Sequence, residues 1–422
     1  MPTSPLARAI TLASLGSCLA LPSLAHADFV KDSKANLELR NFYMNRDFRQ
    51  EGGNKGQSKA EEWAQGFLLR MESGYTEGTI GVGIDAIGLA GVKLDSGDGT
   101  SGTGLLAADR SGGSQDNYSE LGLTGKLRAA KSTLKAGTLA PKLLALQAND
   151  SRLLPQTFKG GQLNSLDIDG LSLDAGQLKE VNYRDSTNYE EMTINGGGKR
   201  NIAFAKGLTS DEFNFANASY KWNEQLTTSY GYGNLDQFYQ QHLVNLVHVL
   251  PLADKQSLKT DLRYARSTDD GSSNVDNKAL GAMLTYGINS HAFGLGYQTM
   301  SGDTGYAYVN ATDPFLLNYV QIGDFANKDE KSWQARYDYN FAAVGIPGLT
   351  FMTRYVSGSD VDRGASLGEG KEWERNMDIA YVVPEGNLKG LGVKWRNATT
   401  RSNFGNDLDE NRLILSYTVA LW

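Results

Sequence analysis

Eighteen short segments that alternate apolar and polar residues run through this sequence from Ala35 to Leu421, and the connections between them change length with their order. The first nine cover residues 35–45, 62–73, 78–88, 118–129, 132–139, 157–167, 171–183, 211–222 and 225–234. The second nine cover 238–250, 257–267, 278–287, 291–300, 331–341, 349–357, 372–383, 390–400 and 411–421. A period of two places alternate side chains on opposite faces of a strand. Leu37, Leu39 and Tyr43 thus oppose Glu38 and Arg40, and Leu121, Leu123 and Leu127 oppose Lys126 and Arg128. Connections are short after each even-numbered segment and mostly long after odd-numbered ones. A soluble sandwich has no need for that parity, whereas a membrane barrel has short periplasmic turns and long outer loops. Closure also removes the edges that open strands would expose. The expected fold is all-β: an 18-stranded antiparallel transmembrane β-barrel with inward-folded constriction loops and both termini on the periplasmic side.

Composition agrees with this reading. Mean hydropathy is only −0.40, and no apolar run of helical-span length follows the N-terminal segment. Barrel strands put only every second residue into lipid, so low hydropathy is what they produce. Residues 1–27 read as a secretory signal, with Arg8 ahead of an apolar run and Ala25-His26-Ala27 at the cleavage site. One barrel domain, residues 28–422, is expected to remain. Cys18 is the only cysteine and lies inside that signal, which excludes disulfides and multi-cysteine metal sites from the remainder. The net charge of −7 argues against nucleic acid as a partner.

Residues 138–169 interrupt the strand pattern. Pro141 and Pro155 remove ladder donors, while Leu143, Leu144, Leu146, Leu153 and Leu154 are too apolar for a solvated tip. At membrane depth irregular backbone is tolerated inside protein or along a water-filled cavity, so residues 140–156 are expected to fold into the pore. A second excursion, 301–330, parallels the first. Lys142, Asp150 and Arg152 would set a constriction with Asp303 opposite, a mixed-charge arrangement that orients carboxylate or zwitterionic solutes. Asp150 and Arg152 can equally pair with each other and only anchor the loop. The Gly-rich stretch 91–117 is expected to be a mobile external loop, since it contains no phosphate-binding pattern.

Arg40, Arg70, Lys126, Arg128, Lys135, Arg263, Arg336, Arg354, Lys394, Arg396 and Arg412 all fall on the polar strand faces. Guanidinium forks bind carboxylates in bidentate fashion, and several weak stations in a row let a solute enter, exchange partners and leave. The same cations can instead pair with Glu38, Glu72, Asp261, Asp338 and Asp378 to stay solvated. His242, His248 and His291 are the only histidines after the signal, and no third ligand sits at metal-site spacing. No GxSxG elbow supports a hydrolase. Neither cofactor nor metal is expected, and the chain reads as a channel, not an enzyme. Trp63, Trp222, Tyr232, Tyr264, Trp333, Tyr355 and Tyr381 fit interfacial girdles.

The segments LELRNFYMNRDF (Leu37 to Phe48), NDSRLLPQTFKGGQL (Asn149 to Leu163) and SWQARYDYNFAAVGIPGLTFMTRYVSG (Ser332 to Gly358) resemble the porin D family, substrate-specific carboxylate channels of the pseudomonad outer membrane. The resemblance covers essentially the whole chain after the signal. It implies third and seventh loops that narrow the pore, with Asp150 and Arg152 in the third and Asp303 in the seventh. It also implies a basic ladder, with Arg40, Arg336, Arg354, Arg396 and Arg412 on wall strands. Arg184-Asp185-Ser186-Thr187 is similar to members that take aromatic or other organic acids; the alternative within the family is a basic amino acid channel, and outside it a barrel-scaffolded hydrolase. Implied partners are small carboxylate solutes, outer membrane lipids and lipopolysaccharide, and the barrel assembly machinery, with the chain a monomer or loose trimer. Trp422 departs from the family pattern by falling out of phase with Leu413, Leu415, Tyr417, Val419 and Leu421.

Overall fold

The computed structural model describes residues 29, 31–54, 56–109 and 111–422. The expected signal segment, with Arg8 and Cys18, and the expected new terminus at Asp28 lie outside the described residues. The chain begins with β1 (Lys34–Phe48), β2 (Lys59–Glu72), β3 (Ile80–Asp95), β4 (Asn117–Ala129) and β5 (Ser132–Leu139). It continues through β6 (Thr157–Ser165), β7 (Leu171–Asn182), the two-residue β8 (Tyr189–Glu190), β9 (Phe213–Lys221) and β10 (Leu226–Leu235). Then follow β11 (Tyr239–Ala253), β12 (Gln256–Asp269), β13 (Asp276–Ile288), β14 (His291–Ser301) and β15 (Lys331–Asn340). The wall ends with β16 (Leu349–Asp362), β17 (Glu369–Val382), β18 (Gly392–Ser402) and β19 (Leu408–Ala420).

Neighbouring strands are antiparallel throughout, and β1 lies between β2 and β19, with Arg40 opposite Gly66 on one side and Ser416 on the other. β8 pairs only with the long-loop end of β7, which otherwise pairs with β9. Among the described residues, eighteen strands therefore close the ring. Several run further than the alternation predicts: β1 reaches Phe48 instead of Asn45, and β3 reaches Asp95 instead of Gly88. Beyond the apolar band both faces of a strand are wetted, so the period-two signal fades while the ladder continues. For the same reason residues 270–275, 363–368 and 403–407 are tighter connections than expected at that end, whereas 236–238 keeps the expected length.

The outer surface follows the alternation. Leu121, Leu123 and Leu127 are exposed, and Thr124 and Lys126 between them are buried. Trp333, Tyr355 and Trp373 form one aromatic row, with centroids 5.6 and 5.7 Å apart. At the short-turn end His291 stacks with Phe293, Tyr337 and Tyr339. His242 shares the outer face with Tyr230, whose hydroxyl lies 2.6 Å from Nδ1. Among the described residues no three His, Cys, Asp or Glu side chains converge as a metal site.

The inner wall carries apolar patches among its polar residues, and the loops sit on them. Loop 140–156 lays Leu153 and Leu154 against Phe42 and Met44 of β1 and Leu68 of β2. Its first half places Leu146 in a second cluster with Phe158, Phe213 and Phe215, which also takes Val309 of loop 302–330. Glycines make the seats. A Cβ at Gly66 would stand 3.1 Å from the Leu153 carbonyl oxygen, and one at Gly231 would stand 3.0 Å from the Leu144 Cβ. Part of the stretch expected to be an external loop is also folded inward: Leu105, Leu106 and Ala107 are buried in the first cluster. Glu62 on β2 draws that loop in, because its buried carboxylate accepts the Thr103 N–H (3.1 Å) and the hydroxyls of Thr103 and Ser114.

The seat is testable. Leu153→Ala removes a fully buried side chain at a cost of about 2–5 kcal/mol, borne by the loop and not by the ladder. The purified variant should keep the heat-modifiable migration of a folded barrel, gain protease cleavage within residues 140–156 and show a higher single-channel conductance. Wild-type conductance and resistance would refute the seat.

Candidate functional site

Loop 183–212 also folds inward, with Met192 and Ile194 buried, and an open space remains between the loops and strands β1, β16, β18 and β19. A cavity of about 440 Å³ there is lined by residues of loop 140–156 (Asn149, Ser151, Arg152), loop 183–212 (Arg184, Asn195) and loop 302–330 (Tyr308, Asp313, Tyr319, Asp324). Wall strands add Arg46, Arg354, Arg396 and Arg412. Register explains the grouping. Arg336 lies opposite Arg354 across β15 and β16, and Arg396 opposite Arg412 across β18 and β19, so each pair shares an inner face at one height.

The cations of this wall outnumber their carboxylates. Glu410 is fully buried between two guanidiniums, Arg46 at 2.7 Å and Arg412 at 2.6 Å. Asp378 is likewise shared, by Lys394 at 3.1 Å and Arg396 at 3.0 Å. Arg336 has its own partner in Asp338 at 2.7 Å. Arg354 donates to the Asn376 amide oxygen at 2.9 Å and makes no ion pair with a described residue. Arg412 is pinned further by the carbonyl oxygens of Ser151 and Gln321, so it ties the wall to two loops.

The loop residues add two more uncompensated cations. Arg152 is buried, its Nε donating to the Thr103 carbonyl oxygen and its Nη1 to Ser151, each at 3.2 Å. Burial, followed by the guanidiniums of Arg412 and Arg184, pushes its pKa down, but a guanidinium starts too high to lose its proton. Arg184 donates to the Asn149 amide oxygen at 2.8 Å. Neither makes an ion pair with a described residue. The Asp185 carboxyl beside them is pushed up by burial and held back by the Arg184 guanidinium. Asp324 is engaged by Arg200. Asp313 accepts from Asn149 and from the Tyr319 hydroxyl (3.0 Å) and makes no ion pair with a described residue. Burial raises its carboxyl above the usual range despite those hydrogen bonds.

The residues singled out in the sequence are thus distributed unevenly. Arg152, Arg354, Arg396 and Arg412 meet at the cavity, with Arg336 one strand away. Asp150 does not pair with Arg152; it accepts from Arg40 at 2.7 Å, and the same guanidinium bonds the Arg152 carbonyl oxygen at 2.9 Å. Arg40 is thereby a clasp for loop 140–156. Arg263 pairs with Asp261 and supports loop 302–330 through the Leu316 carbonyl oxygen and the Phe315 ring. Lys126 is buried on Asp85 and the Ser73 carbonyl oxygen, and Arg128 lies 4.3 Å over the Tyr75 ring, both around turn 73–79. Lys142 is exposed at the base of a small loop hairpin, away from the cavity lining. Asp303 is exposed as well, its carbonyl oxygen taken by Asn201, and Asp313 stands where Asp303 was expected.

Comparison with known proteins agrees with this construction. The family described as outer membrane porin, OprD family, matches residues 27–421. Porin-like protein GalP of Pseudomonas putida is 38% identical and aligns over 97% of both chains; Porin D of Pseudomonas aeruginosa is 36% identical over 93% of this chain and 92% of its own. The crystal structure of Pseudomonas aeruginosa OpdQ is 69% identical, covers 94% of this chain and all of that chain, and superposes with a TM-score of 0.87. The two named relatives are called porins, in keeping with the closed, almost helix-free barrel of this chain. The chain belongs to the OprD family of outer membrane porins.

Proposed function

We propose that this porin passes small carboxylate-bearing solutes, aromatic or other organic acids, by passive diffusion past the guanidiniums of the constriction. One observation carries the reading: Arg152, Arg184 and Arg354 line the same cavity without an ion-pair partner among the described residues, against Asp313 as the lining carboxylate in that condition. A narrow, low-dielectric passage focuses such an excess and raises the local concentration of anions. Shared carboxylates keep the remaining wall cations positioned yet incompletely neutralised, so a passing carboxylate finds successive forks, none of them a trap. A basic amino acid brings two cationic groups beside its carboxylate, and for these the cavity offers Asp313 as a lining carboxylate without an ion pair among the described residues.

Two outcomes test this reading. Arg354→Gln retains a hydrogen-bonding group for Asn376 and removes one charge. A charge-assisted hydrogen bond contributes about 1.5–3 kcal/mol, so residence of a benzoate-like blocker in planar-bilayer recordings should shorten roughly tenfold or more. Block by arginine in place of benzoate would overturn the proposal. The second outcome concerns pH. The raised Asp313 carboxyl takes up its proton before ordinary carboxylates do as pH falls, and its loss of charge leaves the cations unopposed. The anion-to-cation permeability ratio should therefore rise as pH falls from neutral toward the ordinary carboxylate range. Asp313→Asn should start at the higher ratio and change less; an equal pH response would contradict the assignment.

A further inference from the structure

The constriction is assembled from three loops joined by isolated antiparallel bridges, Gln147 opposite Asp313 and Ile194 opposite Val309, and one small side chain touches all three. Asn149 of loop 140–156 is 1% exposed, and its backbone is locked to Gln156 by the Gln156 N–H to Asn149 O bond of 2.8 Å. Its amide oxygen accepts from Arg184 of loop 183–212 (2.8 Å) and from the Ser151 N–H (3.0 Å) and hydroxyl (2.8 Å). Its amide nitrogen donates to the Asp313 carboxylate and to the Tyr319 hydroxyl (3.3 Å), both of loop 302–330. The network admits one orientation. Turning the amide over would set its NH₂ against the Arg184 guanidinium and the Ser151 N–H, and its oxygen against a carboxylate.

We propose that Asn149 is the positioning residue that keeps Arg184 and Asp313 apart, preserving an uncompensated guanidinium and therefore the anion preference of the pore. An amide is the side chain suited to this task. It offers an acceptor to the cation and a donor to the carboxylate at once, while adding no charge of its own. Without it, Arg184 and Asp313 lose the group that each is bonded to and stand across the same small cavity with complementary charge. Direct pairing would then satisfy both and remove one cation from the passage. Asn149 thus sets selectivity through two other residues and contributes no ladder bond to the barrel.

The inference rests on the anion-favouring reading of the constriction, so the wild-type reversal potential is measured first. A cation-selective wild type would sink that reading itself. With an anion-selective wild type, Asn149→Ala should lower the anion-to-cation permeability ratio roughly three- to tenfold, the scale of one ion pair formed in a partly solvated site. Adding Asp313→Asn should raise the ratio by more than the same change does in the wild type, because it frees Arg184 as well as removing a lining carboxylate. A role confined to loop packing would give the same rise in both backgrounds. Asn149→Asp, of equal size, covers the case in which the alanine variant fails to fold. It should lower the ratio by neutralising Arg184 directly, and Asp313→Asn should then raise it by no more than it does in the wild type. An unchanged ratio in both single variants, or equal responses of both to Asp313→Asn, would overturn the inference while leaving the anion-favouring reading in place.

Discussion

A backbone that crosses a bilayer meets no water to satisfy its N–H and C=O groups, and the seam between β1 and β19 is where this chain answers that constraint. The seam is unbroken from Asn36 opposite Ala420 to Phe48 opposite Leu408. Closing eighteen strands fixes a circumference too wide for wall side chains to fill. The loops therefore become the interior. Once loops with Leu105, Leu146, Leu153 and Leu154 are inside, the wall beneath them has to be apolar, and Phe42, Met44, Leu68, Phe213 and Phe215 face inward where water would otherwise demand polar residues. Glycines such as Gly66 let the loop backbone approach the strand, and a larger residue there would hold the loop off the wall.

The wall left bare has the opposite requirement. It borders water and must keep several guanidiniums in defined places without cancelling them. One carboxylate per cation would position them but leave no net field. Cations without carboxylates would repel each other and swing free. Glu410 between Arg46 and Arg412, and Asp378 between Lys394 and Arg396, resolve this by serving two cations each. Desolvation would make such clusters costly in a core, but here the exposed ends of the side chains face the passage while buried carboxylates anchor them. Field and rigidity thus come from the same bonds.

Much of this was legible in the residues. Strand number, outward faces and the burial of the leucines at 143–154 follow from periodicity and from apolar residues in a proline-broken stretch. What stayed hidden is pairing between distant segments. Nothing near Arg40 or Asp150 signals that they bond each other, because the contact exists only once loop 140–156 has turned inward. Asp313 and Asp303 look alike within a long loop that has no period to say which faces the pore. Glycines around Leu105 and Ala107 read as solvent-exposed, although the same glycines permit the inward fold. Arg46 shares strand parity with Arg40, Phe42 and Met44, but it lies one residue past Asn45, where the period-two pattern fades. Asn149 carries no charge, and its importance lies wholly in its neighbours.

The division of labour between ladder and loop tips has a consequence for how such a channel changes. Closure and loop seating rest on backbone hydrogen bonds and buried apolar contacts, whereas the solute meets a small set of polar side chains drawn from the wall and from loops far apart in sequence. Altering one of those side chains leaves the seats untouched, so solute preference can shift at little cost to folding. The polar groups are not independent of each other, however. Arg412 is bonded to carbonyl oxygens of two loops, and Arg184 and Asp313 are bonded through one amide, so a change at one station redistributes charge at another. Coupling energies between contacting groups commonly fail to add. Solute preference in this barrel is consequently a property of the bonded set, and replacing a single rung reports on the whole network, not on that rung's own contact with the solute.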